Sequence, residues 1–207
     1  MPSDENMDGL QKYLAISEHI DWDHPAIVAK AAELARRGGG KGEIARQCFE
    51  FVRDQIQHSM DFRRNPVTCK ASDVLLHGTG YCYAKSHLLA ALLRANGIPA
   101  GLCYQRLTVE PGGPRHSLHG LNAVHLEEFG WYRVDPRGNK PGVEAEFAPP
   151  VEKLAFSVVG PGEVDLPGIW CEPLVVVVRA LKENSTFDEV FHNLPDVDPL
   201  DFRGAVR

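Results

Sequence analysis

Gly78-Thr79-Gly80-Tyr81-Cys82-Tyr83-Ala84-Lys85-Ser86-His87-Leu88-Leu89-Ala90-Ala91-Leu92-Leu93-Arg94-Ala95-Asn96-Gly97-Ile98-Pro99-Ala100 is a glycine-rich turn that feeds a long apolar helix and stops on a glycine and a proline. Leu88, Leu89, Leu92 and Leu93 fall at helical spacing, so the segment predicts a helix from about Cys82 to Asn96. Gly97 stands where a left-handed C-terminal residue belongs, and Ile98-Pro99 prevents continuation. Cys82 therefore sits in the first turn. Unpaired N–H groups and the positive end of the helix dipole favour an anion there, which is the condition for an attacking thiolate. The same N–H groups can stabilise an oxyanion forming beside the sulfur. Gly78 and Gly80 leave the backbone free to turn sharply and leave room for a substrate. The plainer alternative is a buried structural cysteine that happens to begin a helix.

Upstream of this segment the periodicity is helical. Leu10, Tyr13, Leu14, Ile27, Val28, Ala31, Leu34 and Ala35 predict helix over residues 10 to 37, with Asp23 as a possible N-cap before Pro25 and Gly38-Gly39-Gly40 as the stop. Ile44, Cys48, Phe51, Val52 and Ile56 predict a second helix from Lys41 to His58. Residues 59 to 70 read as an extended loop, and Ala71 to Leu76 as one short helix. Downstream the period changes to two. Gly101 to Val109, Leu118 to Leu126, Trp131 to Asp135 and Leu174 to Ala180 are the strand candidates, separated by Gly/Pro turns. Helices followed by strands indicate an α+β fold, a helical amino-terminal half packed on an antiparallel sheet.

The chain has 207 residues, which suits one domain over 1–182 with a core at about 45–140; residues 183–207, acidic and Pro-containing, read as a surface-lying tail. No internal repeat is evident. A net charge of −6 without a basic stripe argues against nucleic acid as a partner. The acidic start Met1-Pro2-Ser3-Asp4-Glu5-Asn6 is unlike a secretory signal, and the longest apolar run, Leu174 to Val178, is too short for a bilayer. A cytoplasmic setting without membrane association is expected. Five cysteines, at 48, 69, 82, 103 and 171, then read as free thiols. Cys48, Cys103 and Cys171 fit core or semi-core positions, and Cys69 lies in a loop with nothing to activate it.

A thiolate nucleophile needs a base, and the base needs an orienting group. His119 and His125 share one candidate strand and Asp135 ends the next. The histidines are six residues apart, so they face one side about 20 Å from each other, and only one can serve Cys82. Hairpin arithmetic leaves both open. A turn centred on 127 would set His119 opposite Asp135, one centred on 130 would set His125 there, and Glu127-Glu128-Phe129-Gly130 lies between. Asp135 is also a natural starter of an Asp-Pro turn, and either histidine could be an ordinary strand residue.

Taken together, Gly80-Tyr81-Cys82 with the leucine-rich helix ending Gly97-Ile98-Pro99-Ala100, His119-Gly120-Leu121-Asn122-Ala123-Val124, and Gly130-Trp131-Tyr132-Arg133-Val134-Asp135-Pro136 resemble, in order, the three motifs of the transglutaminase-like superfamily. Phe51 to His58 and Ala71 to Leu75 extend the likeness upstream, over about residues 45 to 140. The resemblance implies a papain-like cysteine protease fold and a triad of Cys82 as nucleophile, His119 as base and Asp135 as orienting group, with His125 in reserve. Leu121 departs from the pattern, standing where the family usually has an aromatic residue.

The implied activity is acyl transfer on an amide or ester of a peptide, protein or small molecule through a thioester. Hydrolysis is favoured because no calcium loop is evident. Transamidation of protein glutamine and a non-catalytic peptide-binding module are the alternatives. A zinc site from His116, His119 and Cys82 or Cys103 is disfavoured by its spacing, so neither metal nor cofactor is expected.

Overall fold

A computed structural model describes residues 9–202, apart from residue 111. In chain order the elements are α1 (Pro25–Ala35), α2 (Lys41–Gln55), β1 (Gln57–His58), α3 (Ser59–Phe62), α4 (Ala71–His77), β2 (Thr79–Gly80), α5 (Cys82–Ala95), β3 (Ala100–Thr108), β4 (His116–Leu126), β5 (Gly130–Val134), β6 (Val164–Asp165), α6 (Val175–Lys182) and α7 (Phe187–His192). Strands β5, β4, β3 and β6 form an antiparallel sheet in that order, and β1 pairs in parallel with β2 just ahead of Cys82. This is the α+β arrangement that the change of period indicated.

Helix α5 is the centre of the molecule. Residues 82–94 are all buried, and Gly97 at φ +66° closes the helix in the left-handed conformation. Burying a leucine such as Leu88 or Leu92 contributes about 1.5–3 kcal/mol. The polar positions just ahead of the leucines are buried as well, and each donates to a carbonyl: Lys85 Nζ to Ile56 O at 2.5 Å, Ser86 Oγ to Cys82 O at 2.9 Å, and His87 Nδ1 to Cys69 O at 2.7 Å. Burial pushes Lys85 down to about 7 and His87 down to about 4.

The sheet lies against α5 through the even-numbered residues of β4, Leu118, Val124 and Leu126, while Leu121 and Ala123 pack with Cys103 on the far side.

Several expected elements differ. Residues 12–24 turn instead of continuing a helix, because Ser17 Oγ accepts the Ile20 N–H and Trp22 Nε1 donates to Leu14 O, and the α1 cap is His24 Nδ1, not Asp23. Helix α2 stops at Gln55 because Gln57 and His58 are taken into a strand pairing with Thr79 and Gly80. The valine run at 174–180, expected as a strand, forms α6: Val177, Ala180 and Leu181 are its buried residues at helical spacing while Val175 is exposed. The edge of β3 is taken instead by β6.

The tail is not merely surface-lying. Thr186 and Glu189 form a capping box, Val190 is fully buried, and Tyr81 Oη donates to Phe187 O at 2.5 Å. Among the described residues no helix is long and apolar enough to cross a membrane.

Candidate active site

Cys82 opens α5, and its N-cap Tyr81 makes no side-chain capping bond, so the protein leaves the first-turn N–H groups available. The sulfur accepts a hydrogen bond from Gly120 N at 3.4 Å, which brings the strand carrying His119 directly over the helix end. A glycine is required at 120: a Cβ there would lie 3.0 Å from Tyr83 Cα and 2.9 Å from its ring. The Tyr83 hydroxyl also donates to Leu118 O, so β4 and α5 are clamped on both sides of the glycine. Gly120→Ala is therefore expected to displace His119 from Cys82 and to lower kcat about 100-fold with little change in KM. Steady-state kinetics on any substrate found for the protein would check this, and a Gly120→Ala variant within a few-fold of the original would contradict it.

The β4–β5 register resolves the histidines. His125 pairs with Trp131 and Asn122 with Val134, which centres the hairpin on 128, between the two alternatives. Asp135 then sits diagonally from His119 on the same face, and the side chains close the gap: His119 Nε2 lies 2.7 Å from Asp135 Oδ2. Asp135 is four residues beyond the partner of His125, about 13 Å along the strand. His125 is instead half-buried, its ring centroid 5.4 Å from that of Trp131. The structure thus brings Cys82, His119 and Asp135 together and leaves His125 outside.

Asp135 is fully buried and its carboxylate is saturated. Oδ1 accepts the Arg137 N–H at 3.1 Å, the bond of an Asp-Pro turn, while Oδ2 accepts Ala155 N at 3.1 Å in addition to His119. The turn-starter and orienting readings of this residue coexist in one carboxylate. Burial would raise its pKa, yet His119 and the two amides hold it below the ordinary value. At His119 burial opposes the charge, but Asp135 and Cys82 outweigh it and hold the imidazole up at about 10. Burial pushes Cys48 and Cys103 up to about 12 and Cys69 up to about 11.

Sequence reading missed the far wall. Phe156 stands edge-on to His119, with centroids 4.9 Å apart, and Arg137 crosses Phe156 while pairing with Asp61 at 2.7 Å. Neither sits in a periodic pattern; the Asp-Pro-Arg turn at 135–137 was the one available signal. Cys82, His119, His58, Phe156, Phe191 and Leu194 are among the residues lining a cleft of about 270 Å³. His116 lies on the opposite face of β4 from His119 and donates to Pro161 O at 3.1 Å, and among the described residues no three His, Cys, Asp or Glu are placed to hold a metal.

No curated protein matches the chain by sequence. A candidate cysteine protease from Cytophaga hutchinsonii has a similar structure at 17% identity and a TM-score of 0.50, over 62% of this chain and 42% of that one. The periplasmic domain of TgpA from Pseudomonas aeruginosa aligns at 21% identity and a TM-score of 0.48, over 65% of this chain and 48% of that one. This chain thus matches less than half the length of either. The family model of the Transglutaminase-like superfamily matches residues 28–136, a span that carries both Cys82 and Asp135. With that match over more than half of its length, and with the helices and antiparallel sheet of the papain-like fold, the chain belongs to the transglutaminase-like superfamily.

Proposed function

We propose that the chain is a cysteine-dependent acyl-transfer enzyme that hydrolyses an amide or ester of a peptide or small molecule. The observation that carries the reading is the placement of Cys82 at the start of α5, its sulfur accepting from Gly120 N at 3.4 Å, beside a His119 that pairs with Asp135 at 2.7 Å. An imidazole held at about 10 is an imidazolium at neutral pH, the partner an ionised thiol requires. The Cys82 thiolate attacks the carbonyl carbon, and the S–C bond forms as the C=O electrons move onto oxygen beside the first-turn N–H groups. Collapse breaks the bond to the leaving amine or alcohol, which takes the His119 proton. Neutral His119 then removes a proton from water, whose oxygen attacks the thioester. The S–C bond breaks, the acid departs, and the thiolate–imidazolium pair returns. An amine in place of water gives transamidation.

Iodoacetamide near neutral pH tests the reading by adduct mapping. Cys82 is expected to react about 100-fold faster than Cys69 or the unfolded thiols. His119→Ala is expected to abolish that enhancement and His125→Ala to spare it. A Cys82 no faster than the others ends the enzyme reading, and the reverse histidine result assigns the base to His125.

A further inference from the structure

Residues 187–196 do more than pack on the domain. Phe191 and Leu194 line the cleft that holds Cys82 and His119. The segment is tied to the neighbour of each: Tyr81, one residue before the cysteine, donates to Phe187 O at 2.5 Å, and Leu118, one residue before the histidine, donates its N–H to Pro195 O at 2.8 Å. β5 pairs only with residues 122–126 of β4, so the edge at Leu118 lies beyond β5 and is met by this segment. Arg106 fixes the arrangement through two 2.7 Å bonds to Asp196. Backbone groups beside the base that could pair with an extended substrate are thus already occupied.

The remaining space selects by size and charge. Its volume of about 270 Å³ lies below the roughly 300–1,000 Å³ that drug-sized ligands occupy. Met60, Leu107, Val109, Leu118, Phe191 and Leu194 supply an apolar lining. Besides its histidines, the charged side chains in that lining are Arg137 and Glu163, and both are spent. Arg137 pairs with Asp61 through both terminal nitrogens, while Glu163 accepts from the Thr108, Val159 and Gly160 amides and the Thr108 hydroxyl. A charged acyl group would give up water without meeting an unpaired charged side chain there other than the histidines.

Resting on the acyl-transfer reading above, we propose that residues 187–196 are the specificity wall of this cleft, which takes a short, uncharged acyl donor with an apolar side chain in preference to an extended polypeptide. Three para-nitrophenyl esters test this: those of N-acetyl-leucine, of N-acetyl-glutamate, and of a heptapeptide ending in leucine. The N-acetyl-leucine ester is expected to exceed each of the others by about tenfold or more in kcat/KM. Phe191→Ala and Leu194→Ala are expected to narrow its advantage over the heptapeptide. A heptapeptide used as well as N-acetyl-leucine, or a ratio unmoved by both substitutions, overturns the proposal. The alkylation rate of Cys82 in the same samples separates the two claims. Fast alkylation with no ester acylating the protein overturns the specificity wall alone, whereas slow alkylation overturns the acyl-transfer reading beneath it.

Discussion

Asp135→Asn is expected to lower kcat by about 10⁴-fold while leaving KM within a few-fold, because the change strikes the orientation and charge of His119 and not the surface that holds substrate. An asparagine has nearly the same shape but a single acceptor oxygen. It can no longer accept from His119, Arg137 and Ala155 as the carboxylate does. With the negative charge gone, burial acts on His119 with only Cys82 to oppose it, and the imidazole falls from about 10. The base then presents the wrong tautomer or no proton for the leaving group. Titration of the His119 ring by NMR reads the cause separately from the rate, and an Asp135→Asn variant that keeps both its activity and a ring titrating near 10 would refute this role.

The same pair sets a pH window for stability. His119 is raised above its ordinary 6.5, so its contribution is full below 6.5 and lost as pH rises through about 10. Asp135 is lowered below its ordinary 3.8, so its contribution is present above 3.8 and lost as pH falls through the depressed value. Both are complete between 3.8 and 6.5. In Asp135→Asn the acid limb due to residue 135 disappears, which urea melts at several pH values would register.

Arg94→Ala is expected to have the largest effect on stability, about 3–5 kcal/mol, without touching the reacting atoms. The guanidinium is buried at the last turn of α5 and bonds three separate segments: Nη1 to Ala15 O at 2.8 Å, Nε and Nη2 to Ala100 O at 3.0 and 2.9 Å, and Nη2 to Cys171 O at 2.7 Å. Burial pushes its pKa down to about 10, which still leaves it charged at neutral pH. Hydrogen bonds to a charged group contribute about 1.5–3 kcal/mol each, and truncation also leaves a cavity. Urea unfolding of the variant measures the loss directly; a shift below about 1 kcal/mol would mean that those carbonyls find other donors.

These two residues mark what a sequence can and cannot convey. The helix that Cys82 opens is legible because glycines precede it and Gly97 and Pro99 close it, and the strands because their alternation is regular. Arg94, by contrast, has the sequence position of an exposed charge in the last turn of a helix. Its burial depends on Ala15 and Cys171, far away in sequence, which no local period encodes. Asp135 is legible through the Gly-Trp-x-x-x-Asp-Pro resemblance, but spacing does not decide its histidine. The hairpin centre at 128 falls between the two options, and only the diagonal geometry of the formed sheet separates them. The valine run at 175–178 misleads for the opposite reason, since β-branched residues favour strands locally while burial of Val177, Ala180 and Leu181 imposes a helix. The wall made by Phe156, Phe191 and Leu194 leaves no signal, because long-range hydrogen bonds from Ala155 to Asp135 and from Tyr81 to Phe187 hold it in place.

The central claim is that Cys82 carries the acyl group. Rapid mixing with para-nitrophenyl N-acetyl-leucine, quenching in acid and intact-mass analysis with peptide mapping tests it most directly. One acyl group on Cys82, formed in a burst and absent from Cys82→Ala, is the predicted result. An acyl group on any other residue, or the same burst in Cys82→Ala, would contradict it.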